Sequence, residues 1–343
     1  MRVVSQIVFH SRWFFTSIFF AWAPIQCLSV VVAFTACSAR PGPAFAPLFP
    51  VNTESWGTEV NRRAFARSIA GMIAGAISFP SIIRAMQATA SERLALGVVY
   101  GSGTESFKRG VELGVNEVLR TANVLRKAIT TYNVSLDSRM TPRRAIEVIG
   151  AKSAPLVIVC AGDAQISEMA AEAKLRSMTI LDCCSRSDAL RHGYCETLFH
   201  IEASDAMYAA AARQTPQAKA VVLWDSALER FGAAQLNDRF RDFARAPMDS
   251  AAWAGWVAVK IAWESFIRAP ASLRAYMISD KAQFDGHKGA PLSFRPWDRQ
   301  LRQPLYSRAD RLIDVPDISR SSRPVRELLD TLGEPAGTDS CVR

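Results

Sequence analysis

Residues 101–104, Gly-Ser-Gly-Thr, are the stretch of this 343-residue chain whose types and spacing best suit a small ligand. They follow an apolar run, 94–100, and precede Phe107, Val111, Leu113, Val115 and Val118 at helical spacing. That order is strand, glycine turn, helix, the opening unit of a parallel α/β sheet. Such a turn lies at the carboxyl end of its strand, where open α/β sheets bind their ligands, and the free N–H groups of the helix start suit an anion. A dinucleotide fits poorly. Ser106 stands where the third glycine of G-x-G-x-x-G belongs, and no acidic strand end follows about twenty residues on. No G-x-x-x-x-G-K-[ST] phosphate loop occurs. The histidines, His10, His192, His200 and His287, form no H-E-x-x-H pattern, and His200 sits inside an apolar strand, which suits a structural role. The seven cysteines include no C-x-x-C pair. No cofactor, metal centre or nucleophilic triad is therefore expected.

The elements that would position the turn read in order. Residues 124–134 end in a second strand. Thr141 as N-cap and Pro142 at the first helical position begin a helix with Ala145, Ile146, Val148 and Ile149 inward. Residues 156–160 are a continuous apolar run, as in a strand covered on both faces. Gly162 and Asp163 turn the chain into a helix over 166–175. A fourth strand, 178–181, ends at Asp182-Cys183-Cys184-Ser185; a fifth is 198–201, a helix follows over 203–212, and a sixth strand is 221–224. This alternation predicts a doubly wound parallel sheet with the Gly101, Gly162 and Cys184 loops along one edge. Beyond it, 228–244 is an amphipathic helix, and 250–268 is a second whose Trp253, Trp256 and Trp263 read as core at helical spacing. A third helix covers 271–279, a β-hairpin pairs 292–294 with 304–306 around 297–303, and the polar tail from Asp314 is irregular apart from a short helix over 325–332.

The net charge of +9 and pI of about 9.4 come with no Lys/Arg run interleaved with aromatics, so no nucleic-acid partner is expected. Residues 1–60 form an upstream extension: a strongly apolar segment, 7–37, broken by Pro24 and loosely resembling a lipoprotein processing box at Cys37, then a proline-rich linker from Arg40. Residues 61–90 resemble a twin-arginine signal, with Arg62 and Arg63, an apolar run, and Ala88-Thr89-Ala90 before Ser91. Export to the periplasm is expected, with residues 7–37 as an N-terminal membrane anchor in the alternative. A second apolar segment upstream of a complete signal suggests translation starting later than Met1.

From residue 94 to Cys341, with one gap, the chain resembles the periplasmic solute-binding proteins of the leucine/isoleucine/valine-binding type. The residues that carry the resemblance are GVVYGSGTESFKRGVELGVNE, the glycine turn after LVIVCAG, and MTILDCCSRSDALRHGYCETLFHIEASDAM. In the closing section they are RFGAAQLNDRFRDFARAPMDSAAWAGWVAVKIAWES and FDGHKGAPLSFRPWDRQLRQPLY. With LDTLGEPAGTDSC at the end, the wording is most similar to the branch associated with PQQ-dependent alcohol dehydrogenase systems. The resemblance implies a type I periplasmic-binding-protein fold: a first α/β lobe, 91–213; a remnant of the second lobe with closing helices and hairpin, 214–313, lacking most of that lobe's sheet; and a polar tail, 314–343. It implies capture of an amino acid or related small molecule for an ABC permease, without catalysis. By position it places the ligand on Ser102, Thr104, Asp163, Gln165 and Ser185, although 162–165 lacks the serine usual in amino-acid binders. It matches Cys195 and Cys341 to cysteines able to pair after export. The other role it leaves open is an accessory protein of an exported quinoprotein dehydrogenase system that binds no solute.

Overall fold

The computed structural model describes residues 93–309, 311–335 and 341. The apolar segment, the linker, Arg62, Arg63 and the Ala88-Thr89-Ala90 site lie outside them.

Five parallel strands form the central sheet: β1 (Arg93–Tyr100), β2 (Ala128–Ser135), β3 (Leu156–Cys160), β4 (Thr179–Asp182) and β5 (Leu198–His200), in the order β2-β1-β3-β4-β5. The register sets Arg93 beside Ala128, Leu96 beside Leu156, Leu156 beside Thr179 and Ile180 beside Leu198. Alternate strand residues face opposite ways. Leu94, Leu96, Val98, Ile158 and Phe199 therefore enter one core, and Val99, Val157, Val159, Ile180 and Leu198 the other. The second core is covered by α2 (Pro142–Gly150) and α3 (Asp163–Leu175), which connect β2 to β3 and β3 to β4. Thr141 caps α2 by accepting Arg144 N–H, with Pro142 beside it where its missing N–H costs nothing.

The first core is covered by α1 (Glu105–Leu125) and by a helix from far along the chain. After α4 (Asp205–Gln214), β6 (Ala220–Val222) and α5 (Ala233–Ala244), α6 (Ser250–Arg268) crosses α1 against the sheet. The crossing is glycine-lined: a Cβ on Gly110 would overlap the Ala252 carbonyl, and one on Gly255 the Phe107 carbonyl. Trp253 and Trp256 are core residues of α6. Their indole N–H groups donate to Gly286 O at 3.0 Å and Glu117 Oε2 at 3.0 Å.

The chain closes through α7 (Leu273–Met277), β7 (Phe284–Asp285), β8 (Pro291–Phe294), β9 (Leu301–Arg302), β10 (Leu305–Arg308), β11 (Leu312–Val315) and α8 (Val325–Leu329). These strands build two small antiparallel sheets, β7-β8-β9 and β11-β10-β6. No second parallel sheet occurs among the described residues. No helix among them is long and apolar enough to cross a membrane.

Several elements differ from the sequence reading. The sixth strand does not extend the parallel sheet; β6 pairs antiparallel with β10, Val222 opposite Tyr306. The free edge of β5 is instead closed by residue 300, which bridges His200, and by glutamine side chains from the closing section. The hairpin pairs β8 with β9 rather than with 304–306, because Asp298 accepts Gln300 N–H at 3.0 Å and tightens the turn. The amphipathic helix begins at Ala233, not 228. Asn237 donates to the carbonyls of Ser226 and Leu228 at 3.1 and 3.0 Å and holds the preceding residues in a turn. The tail is ordered earlier than expected, with β11 pairing to β10.

Candidate functional site

The loops after β1, β3 and β4 do meet at one edge. Gly101 N–H donates to Cys160 O at 2.9 Å, so the first glycine turn is tied to the end of β3. The residues expected to hold a ligand mostly serve these loops. Thr104 Oγ1 donates to Gly101 O at 2.8 Å. Gln165 Oε1 accepts Gly162 N–H at 3.1 Å, half of a capping box on α3. Ser185 Oγ donates to Asp163 Oδ1 at 2.6 Å, which joins two of the expected residues, while Ser102 lies exposed in the turn. A disulfide between Cys160 and Cys184, Cα atoms 5.0 Å apart, pins the β3 and β4 loops together. A second joins Cys195 to Cys341.

Behind this edge lies a buried polar network. Asp182 closes β4: its Oδ1 accepts Cys184 and Ser185 N–H at 3.1 and 3.0 Å, and its Oδ2 lies 3.0 Å from His200 Nδ1. Burial, and then the positive charge of Arg191, hold His200 below the ordinary histidine value. Arg191 donates to Ser185, Ser187 and Glu202 carbonyls and to Gln300 Oε1. Glu202 follows the last strand of the sheet and is 7% exposed. Its Oε1 accepts Ala203 N–H and the Tyr208 hydroxyl, each at 2.8 Å. Burial pushes this carboxyl up to about 7, against the opposing pull of those donors and of Lys288.

Between that edge and the closing section opens a cleft of about 540 Å³, lined by Cys184, Glu202, Trp224, Met248, Asp249 and Arg308 among others. One wall belongs to the strand ends and the other to β6, β10 and the start of α6. A small molecule would fit such a volume. Asp249 Oδ1 caps α6 through Ala252 N–H and accepts the Ser106 hydroxyl, so the wall is fastened to the start of α1.

No protein-family model matches the chain, and no curated protein matches it in sequence. Solved structures do match in shape. One is a periplasmic binding protein from Burkholderia mallei, 12% identical with a TM-score of 0.56, covering 74% of this chain and 99% of that one. Another is the branched-chain amino acid transporter substrate-binding protein LivJ of Streptococcus pneumoniae in complex with isoleucine, 11% identical with a TM-score of 0.51, covering 64% and 98%. A third is an R. palustris ABC-transporter solute-binding protein in complex with benzoate, 12% identical with a TM-score of 0.51, covering 65% and 96%. The chain has the type I periplasmic-binding-protein fold. In that fold the cleft lies where the parallel strands end.

Glu202, Arg191 and Lys288 were not legible as site residues. The available signal was position: Glu202 directly follows a buried strand, where a charged side chain needs a reason to stay. The Cys160–Cys184 bond had a signal too, since both cysteines stand at the carboxyl ends of strands that are sheet neighbours.

Proposed function

We propose that the protein is the exported substrate-binding component of an ABC transporter, capturing a small polar solute in the periplasm for an inner-membrane permease. The observation that carries this reading is the open cleft of about 540 Å³ at the carboxyl edge of the sheet. The names of the structural neighbours support the class, and two of them hold a small organic molecule. The two antiparallel sheets of the closing section stand as a reduced second lobe, and closure would bring them toward the strand ends. The role is capture, not catalysis. Export runs through the twin-arginine-like segment with Arg62 and Arg63.

A second reading has its own observation. Thr104, Asp163, Gln165 and Ser185 are engaged by their own loops. This favours an accessory protein of an exported PQQ-dependent alcohol dehydrogenase system that binds no solute. Thermal unfolding of the exported chain against amino acids, small carboxylates, amines and alcohols separates the two. A ligand at 100 times its dissociation constant adds about 2.7 kcal/mol, a shift of roughly 5–10 °C at this size. One clear shift supports the binder; a cooperative transition that no compound moves supports the accessory protein.

A further inference from the structure

The cleft has one polar group with a direction. Glu202 is more than nine-tenths buried and lines the cavity, yet only its Oε1 is used, by Ala203 N–H and Tyr208. Its Oε2 has no hydrogen-bond partner among the described residues. Lys288, whose charge acts on it, does not fill that place: its ammonium donates to Leu223 O, Gln303 Oε1 and Pro304 O. The Arg191 guanidinium donates to the backbone carbonyl of Glu202. A carboxylate oxygen left so in a nearly closed wall is an acceptor waiting for a donor from the cleft.

The other charges of the lining point the same way. Asp249 is a second carboxylate. Arg308, the lone cation of the wall, is already paired with Asp225. The lining thus offers two carboxylates and no unmatched positive charge, set among Val222, Trp224 and Met248. A carboxylate ligand would meet repulsion from Glu202 and Asp249, and the one cation of the lining, Arg308, already has Asp225 as its partner. A neutral ligand would leave Glu202 without a charge partner.

We infer that the cleft selects a ligand bearing an ammonium group on a short apolar body, with Glu202 Oε2 accepting the ammonium N–H and the Trp224–Met248 wall covering the body. This assignment rests on the reading of the protein as a solute binder. It departs from the expectation that the loop residues Ser102, Thr104, Asp163, Gln165 and Ser185 hold the ligand. The burial that pushes the Glu202 carboxyl up supports it, since an ammonium alongside would restore the charged form that burial disfavours.

The test compares three probes that share one ring, benzylamine, benzyl alcohol and benzoate, by thermal unfolding and calorimetry on the full exported chain. Benzylamine is expected to stabilise the protein while benzoate does not. Glu202→Gln keeps an acceptor for Ala203 and Tyr208 and removes the charge. It should weaken benzylamine at least tenfold, which is about 1.4 kcal/mol. The comparison among probes needs no variant, so a folding defect in Glu202→Gln would not shield the proposal. Benzoate or benzyl alcohol binding as well as benzylamine, or benzylamine unaffected by Glu202→Gln, overturns the ammonium assignment and leaves the binder standing. Failure of every solute class to shift the protein overturns both.

Discussion

All five residues of β3 are apolar and buried, and their backbone groups pair with β1 and β4 on either side. The closing section has strands of two to four residues, and side chains reach the carbonyls that short strands leave over. Gln300 Nε2 donates to His200 O and Glu202 O, Gln303 Nε2 to Ile201 O at 2.6 Å, and Lys288 Nζ to Leu223 O and Pro304 O. In the first region the hydrophobic effect fills the core and the ladder satisfies the backbone. In the second, buried polar side chains satisfy the backbone carbonyls that the short strands leave over. The lesson is that sheets of short strands stay closed when long polar side chains take up their spare carbonyls. The arrangement is nearly complete: among the described residues only the Ser265 and Ser307 hydroxyls are sealed from solvent without a partner, while Glu202 Oε2 opens to the cleft.

The sharpest way to break this contrast is Lys288→Met. Lys288 is 1% exposed, and its ammonium sits 3.9 Å from the Trp253 ring centre and serves three acceptors. Burial drives it well below the ordinary lysine value, so the group is costly to keep. Methionine fills the space but leaves Leu223 O, Pro304 O and Gln303 without a donor. The expected loss is about 4 kcal/mol, read by urea unfolding. A variant as stable as the parent would mean that apolar packing holds the closing section, as it holds the sheet.

How far the sequence showed each region follows from the same contrast. The run 156–160 coincides with β3, because a strand buried on both faces must be apolar throughout and nothing else in the stretch competes. Thr141 and Pro142 begin α2 as read, since a cap is decided by neighbours three residues away. The helix over 250–268 was equally legible from its tryptophans; its Asp249 cap came only with the structure. What the sequence hid was decided by distant partners. The residues of β6 carry no mark that they pair with β10, and only the fold brings Gln300 against His200. The candidate site suffered most. The loop hydroxyls looked free in sequence because their partners, Gly101 O and Asp163, are a matter of loop geometry. Glu202 carried no mark in the sequence, because its surroundings, Tyr208 and Lys288 among them, are brought together by the fold.

Glu202 also gives the contrast a pH dependence. Its carboxyl titrates near 4.5 when unfolded and at about 7 in the fold. The folded state therefore holds a proton that the unfolded state releases. The stability this contributes is fully present below pH 4.5 and is lost as pH rises through 7. The interval amounts to about 3 kcal/mol at most. Glu202→Gln, which cannot ionise, should therefore be more stable relative to the parent at pH 8 than at pH 5, by an amount on the order of 3 kcal/mol. Parallel stability curves for the two proteins would place this carboxyl in an ordinary solvated setting and weaken the comparison at its polar end.

The smallest effect belongs to the first region. Thr141→Ala removes the hydroxyl that accepts Arg144 N–H at 3.2 Å at the start of α2. The site is exposed, so water can take the freed donor, and Pro142 keeps the first turn preset. The helix also rests on Ala145, Ile146 and Ile149, which stay packed against the sheet. The expected loss is about 1 kcal/mol, in the range of other N-cap deletions. A loss near that of Lys288→Met would show that the sheet's helices depend on single polar contacts as the closing section does. A loss of about 1 kcal/mol keeps the two regions apart, with α2 held by its packed face and only trimmed by its cap.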